Sequence, residues 1–250
     1  MNLLLRFITC LLCVSILRCE TDPTIEHAFN QQSVKEFDKI IDNWSREYNS
    51  KTINELNGLT KLGYQLYVEF YEQNDYFKKE INDTSSLYFG NKYFVVQNNL
   101  IIFQCKNPAS ATSDTLNILT KLKIYDFKPP LTNCDLEVLY LTDKYLSIFS
   151  NFLMGTTGNS GEIILNRDKY NEVFKRIKFL SSKFSILAND WFSYNYWIIE
   201  TLPRIISISF NEDLTEAFIS YTNEHNWGEA KFILNANKKW HMVYSKIIGG

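Results

Sequence analysis

The segment Asn189-Asp-Trp-Phe-Ser-Tyr-Asn-Tyr-Trp197 holds the densest cluster of groups able to do chemistry in this chain of 250 residues. On a strand, Trp191, Ser193, Asn195 and Trp197 share one face, and Phe192, Tyr194 and Tyr196 share the other. Flat rings beside Asp190 suit the stacking of sugar rings or the holding of an apolar ligand. Asp190, Trp191, Tyr194 and Trp197 are therefore candidate ligand-binding residues. The competing reading is a thick core beneath an aromatic-rich sheet, since each such side chain buries roughly 150–250 Å². Glu200 adds a second carboxylate beyond the patch. Glycoside hydrolysis uses two acids about 5–10 Å apart, but Asp190 and Glu200 are two of 28 acids and their spacing selects nothing. His225 and His241 are candidate general bases or ligand-binding residues. His225 lies in the polar run Asn223-Glu-His-Asn226 and reads equally as a turn residue. His241 follows Trp240, so alternation puts the two on opposite faces.

Other chemistry is poorly supported. His27, His225 and His241 are scattered with no ligand spacing, so no metal is expected. The chain contains no nucleophile elbow, phosphate-binding loop, dinucleotide fingerprint or zinc-protease motif, and no cofactor is expected. Cys105 and Cys134 can form a disulfide in an oxidising compartment, closing a loop of about 30 residues worth about 3–4 kcal/mol. The alternative is two buried thiols.

The compartment is written at the N-terminus. Arg6 precedes the apolar run Phe7–Leu17, which is too short to cross about 30 Å of hydrocarbon. Followed by Arg18, Cys19 and a polar run, it reads as a secretory signal over residues 1–19. Ile16-Leu17-Arg18-Cys19 resembles the lipobox of bacterial lipoproteins, in which the Cys is lipidated, with Arg18 standing where a small residue is usual. Glu20 and Asp22 are similar to the start of surface-exposed lipoproteins in the Bacteroidetes. Cys19 is thus a lipidation candidate, with ordinary cleavage nearby as the alternative. A lipid anchor attaches a protein to a membrane without making it span one.

The whole chain carries 26 basic and 28 acidic side chains. Loss of Arg6 and Arg18 with the signal leaves 24 basic against 28 acidic groups, a net charge of −4. That excludes nucleic acid as a partner and leaves the N-terminal anchor as the one route to a membrane.

The elements that position these residues emerge from periodicity. Ser33–Asn49 reads as a helix with Val34, Phe37, Ile40, Ile41, Trp44 and Tyr48 on one face, and with Ser33 and Glu36 as a capping box. Glu55–Gln73 reads as a second, and the two suit an antiparallel pair. Tyr93–Gln97 and Leu100–Cys105 read as a hairpin turned at Asn98-Asn99. Leu116–Asp126 is open between helix and strand. Thr142–Met154 and Arg167–Ser181 are amphipathic helices, the latter using Tyr170, Phe174, Ile177 and Leu180. From Phe184 the period becomes two, giving strands Phe184–Ala188, Tyr194–Glu200, Arg204–Phe210, Glu216–Thr222, Glu229–Leu234 and Trp240–Ile247. Short connections make these an antiparallel meander. The expectation is α+β, with an N-terminal helical segment over 20–82 and an α+β domain over 83–250 that ends in the sheet.

Two resemblances add to this. Lys128-Pro-Pro, Val138-Leu-Tyr-Leu-Thr-Asp-Lys-Tyr145 and Phe152-Leu153 are followed by Trp191, Trp197, Thr201, Pro203, Ile205 and Ile208-Ser-Phe210-Asn211. Then come Ala217, Tyr221, Gly228-Glu-Ala230 and Lys239-Trp240. Over about residues 85–248 this set resembles uncharacterised exported proteins of the Bacteroidetes. That resemblance implies export and carries no catalytic residue. The closing strands, through Lys238-Lys-Trp240, resemble the nuclear transport factor two-like (cystatin-like) fold, which curls a sheet around a helix and often leaves an apolar pocket.

The expected function is that of an exported, envelope-associated binding or interaction module. Its site is the periplasm, outer membrane or cell surface, or the medium if no anchor is attached. Its partner would be a protein or a small apolar or glycan ligand. The competing class is a hydrolase of envelope glycan or a similar substrate.

Overall fold

The computed structural model describes residues 23–47, 49–74, 92–106, 108, 118–131, 136–154, 167–182, 187–188, 197–223 and 226–249. It is an α+β fold. Helices α1 (Pro23–Asn30), α2 (Val34–Glu47) and α3 (Gly58–Gln73) come first, with a 3-10 turn at Ile53–Glu55. Strands β1 (Tyr93–Val96), β2 (Asn99–Cys105), β3 (Ile118–Tyr125) and β4 (Glu137–Tyr140) come next. After α4 (Asp143–Met154) and α5 (Arg167–Leu180) come β5 (Leu187–Ala188) and β6 (Trp197–Ile198). The chain closes on β7 (Arg204–Phe210), β8 (Glu216–Asn223), β9 (Asn226–Leu234) and β10 (Trp240–Gly249).

The principal sheet has the order β10-β9-β8-β7-β2-β3. Its pairs are antiparallel except β2 with β7. The meander expected at the C-terminus is β7–β10. The two preceding segments are not part of it, since β5 and β6 pair only with each other among the described residues. The ambiguous segment before Asp126 is strand β3.

The expected hairpin at Asn98-Asn99 is corrected. β1 pairs in parallel with β4, while β2 joins the large sheet. All four residues of β1 are buried, and alternation sends them into different cores. Phe94 and Val96 face the core beneath the large sheet, whereas Tyr93 and Val95 face a second core. A parallel pair buried on both sides reads as a continuous apolar run, which is what Tyr-Phe-Val-Val is. The Gln97 amide holds the corner between the sheets by donating to Asn99 O at 2.6 Å and Ile205 O at 2.8 Å.

The β1–β4 ladder is therefore a wall between two cores. On one side α3 lays Tyr64, Leu66, Tyr67, Phe70 and Tyr71 against the inner face of the large sheet. On the other, α1, α2, α4 and the end of α5 pack Phe29, Phe37, Trp44, Phe149, Phe152 and Leu180. Helices α2 and α3 do not form the expected pair, because their apolar stripes belong to different cores. From the second core, Trp44 Nε1 donates to the wall itself at Tyr140 O, 2.8 Å away.

Local chemistry explains the helix ends. Ser33 Oγ accepts from Glu36 N at 3.2 Å, so Ser33 is the N-cap as expected. The Glu36 carboxylate instead meets Lys39 at 2.7 Å, and Ser33 N donates to Ala28 O, so only half of the capping box forms. In α3, Gly63 sits where an added Cβ would stand 2.2 Å from Ile102 Cδ1. The helix carries a glycine because it lies this close to β2.

Two apolar positions depart from the periodic reading. Val34 and Phe174 are 53% and 58% exposed. In α5 the buried face is instead Val173, Arg176 and Leu180. Among the described residues, no helix is long and apolar enough to cross a membrane.

Candidate functional site: a polar pocket at the end of the sheet

Tyr221 stands at the centre of the site. Alternation along β8 buries Ala217, Ile219, Tyr221 and Asn223 on the inner face. Directly opposite Tyr221 on β9 is Gly228. An added Cβ at Gly228 would stand 2.2 Å from Tyr221 Cε2 and Cζ. The ring therefore crosses β9 over a position with no side chain and reaches β10. There its phenol shares a hydrogen bond of 2.9 Å with Ser245 Oγ and donates to Lys246 O at 3.3 Å. Burial pushes the phenol pKa up, against a smaller lowering by Ser245. At neutral pH it is thus a hydrogen-bonding group and not a base.

A β-bulge brings Ser245 there. Before it, Trp240 and Met242 pair with Leu234 and Phe232 on the inner face. The register shifts between Met242 and Tyr244, after which Ser245 and Ile247 lie opposite Ala230 and Gly228. One extra residue inverts the alternation and turns Ser245 and Ile247 inward. The bulge is held from α3: Gln73 Nε2 donates to Trp240 O at 2.9 Å, and Gln73 Oε1 accepts from Met242 N at 2.8 Å.

The same turn of chain supplies Asn74, which ends α3 with its N–H on Phe70 O at 3.0 Å. Pro203 enters from the start of β7 through a cis Leu202–Pro203 bond, and its carbonyl accepts from the Tyr71 hydroxyl. Asn74, Pro203, Tyr221, Asn223, Ser245, Lys246 and Ile247 enclose a pocket of about 150 Å³. The ring of Phe70, 5.1 Å from that of Tyr221, backs it with core.

The charges of β10 lie elsewhere. Tyr244 and Lys246 are opposite Lys231 and Glu229 on the outer face. Tyr244 donates to Glu229 Oε1 at 2.6 Å, and burial, then that carboxylate, pushes its phenol up to about 12. Lys246 Nζ is 3.4 Å from Glu229 and 5.0 Å from the Tyr244 ring centre. The lining residues thus bring two carboxamides, a phenol, a hydroxyl and two apolar groups, while the Lys246 side chain lies on the outer face, paired with Glu229.

Those of the residues singled out from the sequence that are described do not line this pocket. Cys19, Cys134, Asp190, Trp191, Tyr194 and His225 lie outside the described residues. Trp197 is in β6. Glu200 is half-buried just before β7, with an oxygen 3.6 Å from Arg204 Nε, and His241 is exposed on β10 opposite Ile233. Cys105 is a free, buried thiol at the end of β2, its pKa raised by burial. No group of three His, Cys, Asp or Glu is placed to hold a metal among the described residues. Asn74, Tyr221, Asn223 and Ser245 are not singled out as site residues by the sequence. Their one trace in the sequence is Gly228 in the middle of a strand, a sign of close approach by another group.

Fold and site together define an α+β protein with a small, uncharged polar pocket between the end of a helix and the end of an antiparallel meander. No protein-family model, curated protein or solved structure matches the chain.

Proposed function

We propose that this chain is an exported, envelope-associated binding protein that takes a small, uncharged, hydrogen-bonding ligand in the Tyr221 pocket. The observation that carries the reading is the lining itself. Neutral polar residues, with Lys246 already paired to Glu229, line about 150 Å³ beside apolar Pro203 and Ile247, and no acid, histidine or thiol is among the described lining residues. Such a set can orient a ligand, and its described lining holds no acid or histidine to activate the Ser245 hydroxyl. Of the two carboxylates considered for glycoside hydrolysis, Glu200 is engaged by Arg204 and is not among the described lining residues.

Export rests on the N-terminal signal, and anchoring rests on Cys19. Cells labelled with a palmitate analogue should mark the wild type and not Cys19→Ala. Equal label in both would end the anchoring idea. Pocket binding is tested by ligand-observed NMR with a library of small neutral polar compounds on residues 20–250. Hits should weaken about tenfold or more in Asn223→Leu and in Ser245→Ala, each of which removes one hydrogen-bonding side chain. Hits of unchanged affinity in both variants, or no hits at all, overturn the reading.

A further inference from the structure

We infer that the partner of this site is an extended peptide segment that adds as a further strand along Tyr244–Ile247 of β10 and lays one uncharged side chain into the pocket. The inference rests on the pocket reading above for that side chain and goes beyond it for the rest of the partner. Strand β10 is an edge of the large sheet, pairing only with β9 among the described residues. Backbone groups point alternately to the two sides of a strand. Lys239 O accepts from Asn235 N at 2.9 Å, so Trp240 and Met242 turn their N–H and C=O away from β9. There Gln73 takes the place of a neighbouring strand. Its carboxamide, chemically a peptide group, bonds Trp240 O at 2.9 Å and Met242 N at 2.8 Å. On β9, Leu234 N donates to Thr215 O at 2.8 Å, so alternation turns Lys231 and Glu229 toward β10. Past the bulge, Tyr244 and Lys246 lie opposite these two residues. The N–H and C=O of Ser245 and Ile247 therefore face outward, and no described group bonds them. A second register shift follows after Ile247. The regular stretch between the two shifts is thus an unsealed edge, with Val243, Ile247 and Ile248 exposed along it.

Residues paired across two strands hold their side chains on the same face. Ser245 and Ile247 turn theirs inward and line the pocket. The residue of an added strand opposite either of them therefore brings its own side chain to the pocket. Main-chain bonds then supply affinity and the pocket supplies selection, as in other strand additions to a sheet edge. A volume of about 150 Å³ is that of a cavity known to take benzene, room for one side chain about the size of a phenylalanine ring. A charged side chain finds no counter-charge there, because Lys246 is held by Glu229 at 3.4 Å and no other described lining residue is charged. A second copy of the chain is a poorer occupant. Stable interfaces bury about 1,200–2,000 Å², whereas Gln73 and the second register shift confine pairing to the short stretch between them.

The probe is an arrayed library of capped, uncharged pentapeptides with Leu, Met, Phe or Tyr at the centre and Thr or Val elsewhere, screened by NMR against the purified protein. Amide hydrogen exchange reads the pairing. In the free protein the Tyr244 and Lys246 amides are expected to be protected, and those of Ser245 and Ile247 to exchange freely. A bound peptide is expected to slow exchange at Ser245 and Ile247 by about tenfold or more. Cutting its central side chain to Ala is expected to weaken it by about tenfold or more. Binding that leaves the Ser245 and Ile247 amides unprotected overturns strand addition. A library with no binder overturns it too, and hits among the small neutral compounds then leave the pocket reading standing. Equal affinity of the Phe, Leu and Ala peptides overturns the placement of a side chain in the pocket. Protection of both amides that grows with protein concentration, with no peptide present, overturns the inference and assigns the edge to a second copy of the chain.

Discussion

Arg176→Met should lower the free energy of unfolding by about 3 kcal/mol, the low end of the cost of removing one partner from a buried ion pair. Arg176 is 5% exposed on α5. Its guanidinium lies between two rings, 4.9 Å from the centre of Phe29 and 4.7 Å from that of Phe152. It donates to Phe152 O at 2.9 Å and to Glu26 Oε1 at 2.5 Å. One side chain therefore ties α1, α4 and α5 together at the rim of the second core. Methionine keeps the length and the contact with both rings but leaves the Glu26 carboxylate without its counter-charge. Glu26 keeps some contact with water, which holds the cost to the lower end of the range. The double variant Arg176→Met, Glu26→Leu should return to within about 1 kcal/mol of the wild type, since an apolar pair avoids the desolvation that the ion pair must offset. Urea unfolding of the two variants measures both quantities. A single variant costing under about 1 kcal/mol, or a double variant no more stable than the single, overturns the account.

Arg176 also shows what can and cannot be read from the chain. The helix itself is legible from Arg167 to Leu180, as are the other long amphipathic segments and the strands of the meander, because periodicity is a local property. Its buried face is not. Apolar spacing selects Phe174, which is 58% exposed, over Arg176, which is buried. The partners that make an arginine welcome inside are Glu26 and Phe29, distant in sequence and adjacent only after folding. The hairpin expected at Asn98-Asn99 fails for a related reason. Turn chemistry is present, but Tyr93–Val96 is apolar on both faces, and its two faces serve two different cores.

The candidate site is legible least of all. Strict alternation from Trp240 puts Tyr244 and Lys246 on the inner face of β10. The bulge after Met242 replaces them with Ser245 and Ile247. A bulge has no reliable residue signature, and this one is held by Gln73, which belongs to a helix far back in the chain. The dense aromatic patch from Asn189 to Trp197 contributes none of the pocket's described lining.

The second large effect arises from the one local trace of that pocket. Gly228→Ala should cost about 3 kcal/mol, the upper end for overpacking, and should abolish ligand binding. The added methyl falls 2.2 Å from two carbons of the Tyr221 ring, a separation that side chains do not tolerate. The ring cannot simply yield, because Phe70 stands behind it at 5.1 Å and its phenol is bonded to β10. Relief requires Tyr221 to leave Ser245 or β9 to move away from β8. Either change opens the pocket. Tyr221→Phe in the Gly228→Ala background keeps the offending ring and should restore nothing. Tyr221→Leu should restore about 1 kcal/mol or more, a coupling of the size expected between residues in contact. Gly63→Ala is the comparison, because its new methyl meets the aliphatic side chain of Ile102, with Cδ1 at 2.2 Å and Cγ1 at 3.2 Å, and Leu100 Cδ2 only at 3.6 Å. Relief there asks only for a shift of one aliphatic side-chain end, and alanine adds about 1 kcal/mol of helix propensity, so the net cost should be smaller than at Gly228. Thermal or urea unfolding of the four variants decides the matter. Equal costs at Gly63 and Gly228, or rescue by Tyr221→Phe, would mean that the ring does not lie across β9 and that the pocket is not built as described.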